Sequence, residues 1–150
     1  MPYAEWGDEF SVGIEELDAD HKKLLALLND LKKAMDAGDA HDALGRVLAG
    51  LKLYMSFHFA HEEELFRQLD YPDYEAHCRE HQAFADAVEE LHRDFRVRAS
   101  DALPRQAFDF LKNWLYEHSL GADRAFASYL KANPELLERL ASSADASAAQ

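Results

Sequence analysis

The stretch Tyr54-Met55-Ser56-Phe57-His58-Phe59-Ala60-His61-Glu62 decides how this chain reads, because it sets an imidazole and a carboxylate four residues apart inside a run with apolar helical periodicity. On an α-helix, positions i and i+4 lie about 40° apart around the axis, one turn above the other. The stripe Leu44, Val47, Leu51, Tyr54, Leu65 and Leu69 carries His58 and Glu62 in its middle, so both are expected to point at the core. A carboxylate in that position must be protonated, paired or bound to a metal. Taken alone, the pair reads as a buried hydrogen-bonded couple.

Three other stretches answer it. His77-Cys78-Arg79-Glu80-His81 sets two histidines four apart, and the stripe Phe84, Val88, Leu91, Phe95 continues from His81. His21 lies in line with Leu17, Leu24, Leu28, Leu31 and Met35. His118 and Asp123 sit on a fourth apolar segment with Leu111, Trp114, Leu115, Phe126 and Tyr129. Four helices therefore each turn at least one metal-type ligand inward.

Composition sets the frame for this reading. The 150 residues suit one domain with a sizeable core, and 48% apolar residues with only 6 glycines and 4 prolines favour a compact helical one. A formal charge of -13 argues against nucleic acid or an anionic membrane surface as partner. Cys78 is the single cysteine, which rules out an internal disulfide and a thiolate metal cluster, and it reads as a helix-side packing residue. No apolar run approaches the roughly 20 residues of a membrane span, and Met1 to Phe10 lacks the basic and apolar regions of a leader, so a cytoplasmic protein is expected.

Taken in order, residues 1–17 read as an arm whose Trp6, Phe10, Val12 and Ile14 pack across the core. Residues 18–131 read as the bundle. Asp18 is the expected N-cap of a first helix ending near Asp36, with a stop at Ala37-Gly38-Asp39. A second helix is expected from about Ala40 to Gln68. The third has Pro72 in its first turn and reaches Arg96 to Arg98; the fourth follows the loop Ser100 to Pro104 and continues to about Lys131. Residues 132–141 read as a short terminal helix and 142–150 as a disordered tail. The fold class is all-α, an up-down-up-down four-helix bundle with an N-terminal arm and a short C-terminal helix.

The inward set is His21, His58, Glu62, His77, His81, His118 and Asp123. Five imidazoles and two carboxylates exceed the four ligands of one tetrahedral zinc and suit two first-row ions with bridging carboxylates, of iron, copper, nickel or zinc type. One step strains an ideal helix: Asp123 follows His118 by five residues, about 140° around the axis. Either Asp123 reaches sideways between the ions or the helix carries an irregularity such as a π-bulge. His61 falls off the stripe, and His41 and His92 are expected to face solvent.

The residues resemble the hemerythrin family, its single-domain bacterial members in particular. The matching pieces are the run from Ser11 to His21, His58-Phe59-Ala60-His61-Glu62-Glu63, Tyr71-Pro72 with His77 and His81, and Trp114-Leu115-Tyr116-Glu117-His118 with Asp123. The likeness runs from about residue 6 to residue 130 and fills all seven ligand positions at the family's spacing. It implies a non-haem centre of two iron ions, carboxylate- and oxo/hydroxo-bridged, that binds O2. His77, His81 and His118 would hold one iron, His21 and His58 the other, with Glu62 and Asp123 bridging. O2 would bind end-on as hydroperoxide at the iron with the open position, in a dry pocket whose candidates are Ser119, Trp114, Tyr54 and Leu24.

Ser119 departs from the family, which usually has a bulky aliphatic residue after the last ligand histidine. Two readings stand. Its hydroxyl faces the open iron, where it bonds the oxygen species or admits water, or it bonds the carbonyl of Leu115 and leaves the iron alone. Three functions follow from the resemblance. The first is an O2-binding protein for storage, delivery or sensing, expected to be a monomer and to work with a separate signalling or oxygen-consuming protein. The second is a di-iron enzyme, a peroxidase or NO reductase. The third is an iron reservoir.

Overall fold

The computed structural model describes residues 3–97, 100–136 and 138–139, and they build four long antiparallel helices with no strand among the described residues. The first, α1, is Glu15–Ala37. The second, α2, spans 40–68 without interruption: Ala40–Tyr54 is α-helical, Met55–Phe59 is π-helical, and Ala60–Gln68 is α-helical again. The third, α3, is Tyr74–Val97. The fourth, α4, spans 103–132, with a π-helical stretch Leu115–Asp123 between Leu103–Trp114 and Arg124–Ala132. Short connections make each helix antiparallel to the one before it, and the four close into a bundle in which α1 touches α2 and α4, and α3 touches both as well. The all-α bundle expected from the periodicity is the observed one.

The helix ends show why the chain turns where it does. At the end of α1, Gly38 takes φ +82°, where a side chain would be strained, and the backbone N–H groups of Gly38 and Asp39 close onto the carbonyls of Met35 and Ala34. The end of α2 repeats this geometry with Asp70 at φ +52°, a residue that tolerates the left-handed region better than most, and Tyr71 closes onto Phe66. Pro72 sits in the turn before α3 rather than inside its first turn: the helix begins at Tyr74, and Asp73 accepts the N–H of His77.

Asp18 is not an N-cap. It lies inside α1, where its carboxylate accepts Ser11 Oγ at 2.5 Å and the Val12 N–H at 2.8 Å, tying the arm to the helix. Its position three residues inside the first turn leaves the helix start to Glu15. The arm is fastened again by Asn29, which donates to the Ala4 carbonyl and accepts the Ala4 N–H. Trp6 stacks on buried Phe10 and lies half-buried against the core. After α4, residues 134–136 and 138–139 are helical and Leu136 is buried; Leu140 and the tail 142–150 fall outside the described residues.

The core is split in two. One cluster gathers Leu24, Leu28, Leu31, Leu44, Val47, Leu51, Phe84, Val88, Phe108, Leu111 and Leu115; the other gathers Val12, Leu17, Phe66, Leu69, Tyr71, Phe126 and Leu130. Each fully buried leucine contributes about 1.5–3 kcal/mol of transfer free energy. The α2 stripe differs from expectation in one place: Phe66, at 0% exposure, faces the core and Leu65 is half-buried, because the steps His58, Glu62, Phe66 advance by four. Between the two clusters lies a layer of buried polar side chains.

Candidate metal centre

That layer consists of His21, His58, Glu62, His77, His81, His118, Ser119 and Asp123, none more than 3% exposed. The helices bring seven of them together as two groups of convergent ligand atoms, Glu62 with His77, His81 and His118, and His21 with His58 and Asp123. α1 brings His21, α2 brings His58 and Glu62, α3 brings His77 and His81, and α4 brings His118 and Asp123.

The π-helical stretch resolves the awkward step in α4. In a π-helix the backbone bonds run from i to i+5, so residues five apart share a face. Asp123 Oδ1 accordingly lies 3.4 Å from His118 Nε2 while Oδ2 meets His21 Nε2 at 2.8 Å. The irregularity in α2 was not expected from the sequence, since His58 and Glu62 already share a face on a plain helix. Its consequence is that His58 and Phe59 are both buried, and Phe59 stacks on His81 at 3.9 Å.

The atoms facing the centre are short of protons to share. His77 Nε2 lies 2.7 Å from Glu62 Oε1, 2.9 Å from Asp123 Oδ1 and 3.1 Å from His118 Nε2, while His58 Nε2 lies 2.7 Å from Glu62 Oε2. Yet His58 Nε2, His81 Nε2, both Glu62 oxygens and Asp123 Oδ1 make no hydrogen bond of acceptable geometry among the described residues. Buried polar atoms are nearly always satisfied, so a layer of orphaned lone pairs aimed at one another fits a cation at its centre.

Three carboxylates outside the ring of ligands set the tautomers. His58 Nδ1 donates to Asp20 at 2.6 Å, His81 Nδ1 to Glu63 at 3.3 Å, and His118 Nδ1 to Glu80 at 2.5 Å. With Nδ1 donating outward, each ring points Nε2 inward, the atom a metal would take in place of a proton. Sequence reasoning missed all three. Each adjoins an inward residue in the chain, Asp20 before His21, Glu63 after Glu62 and Glu80 before His81, and each serves a histidine on another helix.

Charge in the metal-free layer is distributed unevenly. Burial alone would lower the pKa of His58, but the hydrogen bond to Asp20 and the negative charge of Glu62 close by outweigh it and raise it to about 10. For His77, burial is likewise outweighed by Asp123 and Glu62, and the value rises to about 9. His81 goes the other way: burial, with the positive charge of His118 and His77, pulls it down to about 2. Asp123 is held well below the ordinary carboxylate range, because bonds to the groups around it outweigh the effect of burial.

The remaining candidates surround this layer. Leu24 is fully buried, Tyr54 is 5% exposed and stacks on His58 at 4.9 Å, and Trp114, half-buried, stacks on His118 at 3.9 Å. Ser119 is fully buried, and its hydroxyl makes no bond to the Leu115 carbonyl or to any other described group. His61 and His41 are exposed; His92 is half-buried against expectation, with its Nδ1 unpartnered. No helix among the described residues is long and apolar enough to cross a membrane.

Comparison with known proteins agrees with this geometry. A family model described as the hemerythrin HHE cation binding domain matches residues 12–130. A bacteriohemerythrin of Stenotrophomonas maltophilia is 33% identical over 128 residues, covering 85% of this chain and 82% of the relative. One of Clostridium acetobutylicum is 32% identical over 124 residues, 81% of this chain and 96% of the relative. A hemerythrin-like protein of Naegleria gruberi is 31% identical over 125 residues, 83% and 92%.

Proposed function

Because this chain belongs to the hemerythrin family, we propose that it binds O2 reversibly at a non-haem centre of two iron ions, as a store, carrier or sensor of oxygen. The observation that carries the reading is the division of the seven buried ligand atoms into two unequal groups, three histidines on one side and two on the other. His77, His81 and His118 hold one ion in this reading, His21 and His58 the other, and Glu62 and Asp123 lie between them as bridges. When bound, the two ions supply the pair of electrons that O2 borrows and returns.

The chain's own residues do the rest. Asp20, Glu63 and Glu80 keep three imidazoles in the tautomer that faces lone pairs inward, so that little reorganisation accompanies loading. Glu62, fully buried, reaches His58 with one oxygen and His77 with the other, which is the disposition a bridging carboxylate needs. Leu24, Phe59 and Leu115 wall the layer on its apolar side and exclude bulk water. Exclusion of water favours reversibility, since solvent protons would carry off the reduced ligand and leave the metal oxidised.

Ser119 favours a second reading, a di-iron enzyme acting on peroxide or NO, because its buried hydroxyl is free to bond a reactant. A reservoir for many ions is disfavoured by the closed ligand set. The deciding measurement is the visible spectrum of protein loaded anaerobically with Fe(II), exposed to air and then degassed. An absorption that appears with O2 and disappears on degassing supports the carrier. Immediate, permanent oxidation with consumption of added peroxide turns the assignment to the enzyme.

A further inference from the structure

On the outer side of the bundle, α1 and α2 leave a groove between them that consists of two cavities of about 470 Å³ each. Leu27 lines both, so they run into one another along the helix pair. Gly50 lies level with Leu27, since a Cβ added there would meet Leu27 Cδ2 at 2.8 Å. One cavity is walled by Leu53 and Phe57, 62% and 72% exposed and one turn apart on α2. Among the described residues they are the pair of large exposed apolar side chains that share a helix face. The other cavity is lined by the smaller side chains of Ala34, Ala37, Ala43 and Val47.

This face matches itself when turned end for end. From Gly50, Phe57 lies seven residues along α2 and Ala43 seven the other way, about 10 Å in each direction, with Leu53 and Val47 three residues to either side. On α1, Lys23 and Asp30 share a midpoint with Asp20 and Lys33, and it falls at Ala26 and Leu27, opposite Gly50. An inverted second copy therefore sets large apolar side chains over small ones and cations over carboxylates. Asp30, Lys33 and Arg46 are exposed and form no ion pair among the described residues. The charges lining the groove, Asp20, Lys23, Asp30, Lys33, Asp39 and Arg46, cancel, whereas the whole chain carries -13. Two copies meet here with less repulsion than a chain of that charge otherwise presents.

We propose that the groove between α1 and α2 is the interface of a two-fold dimer of this chain. Phe57 and Leu53 of one copy seat over the partner's Ala43 and the partner's Val47, and Lys23 faces the partner's Asp30. The proposal departs from the monomer expected from the resemblance and does not depend on the reading of the metal centre. Asp20, which holds His58, lines the same groove, so dimerisation shields that anchor from solvent.

The test is sedimentation of the iron-loaded full chain over a wide range of concentration, beside Phe57→Ser, Lys23→Glu, Asp30→Lys and the variant carrying both charge reversals. The unaltered chain should dimerise reversibly. Phe57→Ser should weaken the dimer about a hundredfold, because each dimer loses two aromatic anchors. Each single charge reversal should weaken it about tenfold by setting like charges opposite one another, and the double reversal should restore it. Melting of the dilute single chain should hold throughout, since all three side chains are exposed. A chain that stays monomeric at every concentration overturns the proposal. So does a dimer that Phe57→Ser leaves unchanged, or a double reversal that dimerises no better than the single ones, since the copies would then meet elsewhere.

Discussion

The two halves of the ligand layer are built to different standards. On the three-histidine side, His81 is held by Glu63 and stacked under Phe59, His118 is held by Glu80 and stacked on Trp114, and His77 packs against Phe66 at 4.5 Å. On the two-histidine side, His58 is held by Asp20 and stacked on Tyr54, but among the described residues His21 Nδ1 is buried with no partner and its ring meets only that of His58, at 5.7 Å. One half is clamped from outside at most points; the other is left loose at one ligand. On the proposed reading, holding metal and admitting a guest would fall to different halves.

The most severe way to break this comparison is to remove one ligand from each half. His118→Ala is expected to abolish stoichiometric metal binding and to lower the stability of the metal-loaded protein by about 3–5 kcal/mol, because Asp123, His77 and Glu80 lose their partner together. His21→Ala should cost roughly half as much and leave about one ion per chain. Metal analysis and calorimetry read both, and equal losses would show that the halves are not distinct.

A milder cut goes through the outer carboxylates. Glu80→Gln and Asp20→Asn should each lower metal affinity about 10- to 100-fold in competition with a chelator, and they should do so for different halves, detectable as loss of different ions in sequence. Simultaneous loss of both ions in either variant would mean the layer behaves as one unit.

Acidity cuts across the halves in the metal-free protein. His58 and His77 are raised above the ordinary 6.5, so their contribution is complete below that value and is lost as pH rises through about 9 to 10. His81, lowered to about 2, contributes in the opposite sense: below 6.5 the unfolded chain takes a proton that the folded one refuses, and stability falls with pH. Asp123 adds to the acid limb, since stability from a depressed carboxyl is lost as pH falls below its ordinary 3.8. Melting of the iron-free protein should peak near pH 6 to 7, and loading with metal should remove the alkaline decline by replacing those protons. A flat profile would argue that the layer rearranges when empty.

The smallest effect is expected at Phe57, which neighbours His58 in the chain but is 72% exposed. Phe57→Ser should change stability by no more than about 0.5 kcal/mol and metal content not at all. A larger change would mean that the outer face of α2 takes part in holding the layer.

The helices and the inward burial of the seven candidate ligands were legible because charge at core positions is conspicuous against a 3.6-residue period. Even the π-helical stretch in α4 left a trace, the five-residue step from His118 to Asp123. Its counterpart in α2 left none. A spacing of four from His58 to Glu62 suits a plain helix, and only the joint burial of His58 and Phe59 betrays the extra residue. The anchors Asp20, Glu63 and Glu80 were hidden for a different reason: each looks like an ordinary surface carboxylate until the partner helix is placed beside it. Asp18 shows the same limit, a good capping residue that the arm claims instead.

The irregular turn in α4 has a further consequence, best put as a matter of counting. Between His118 and Asp123 the chain carries one residue more than an α-helical turn can use, and Gly121, where an added Cβ would meet nothing within 4 Å, lies in that surplus. Deleting Gly121 would bring His118 and Asp123 to a spacing of four, which an ordinary α-helix also sets on one face. Asp123, Phe126 and Leu130 would keep their neighbours while the backbone regains its preferred winding. Register, rather than residue count, is what this helix has been made to keep.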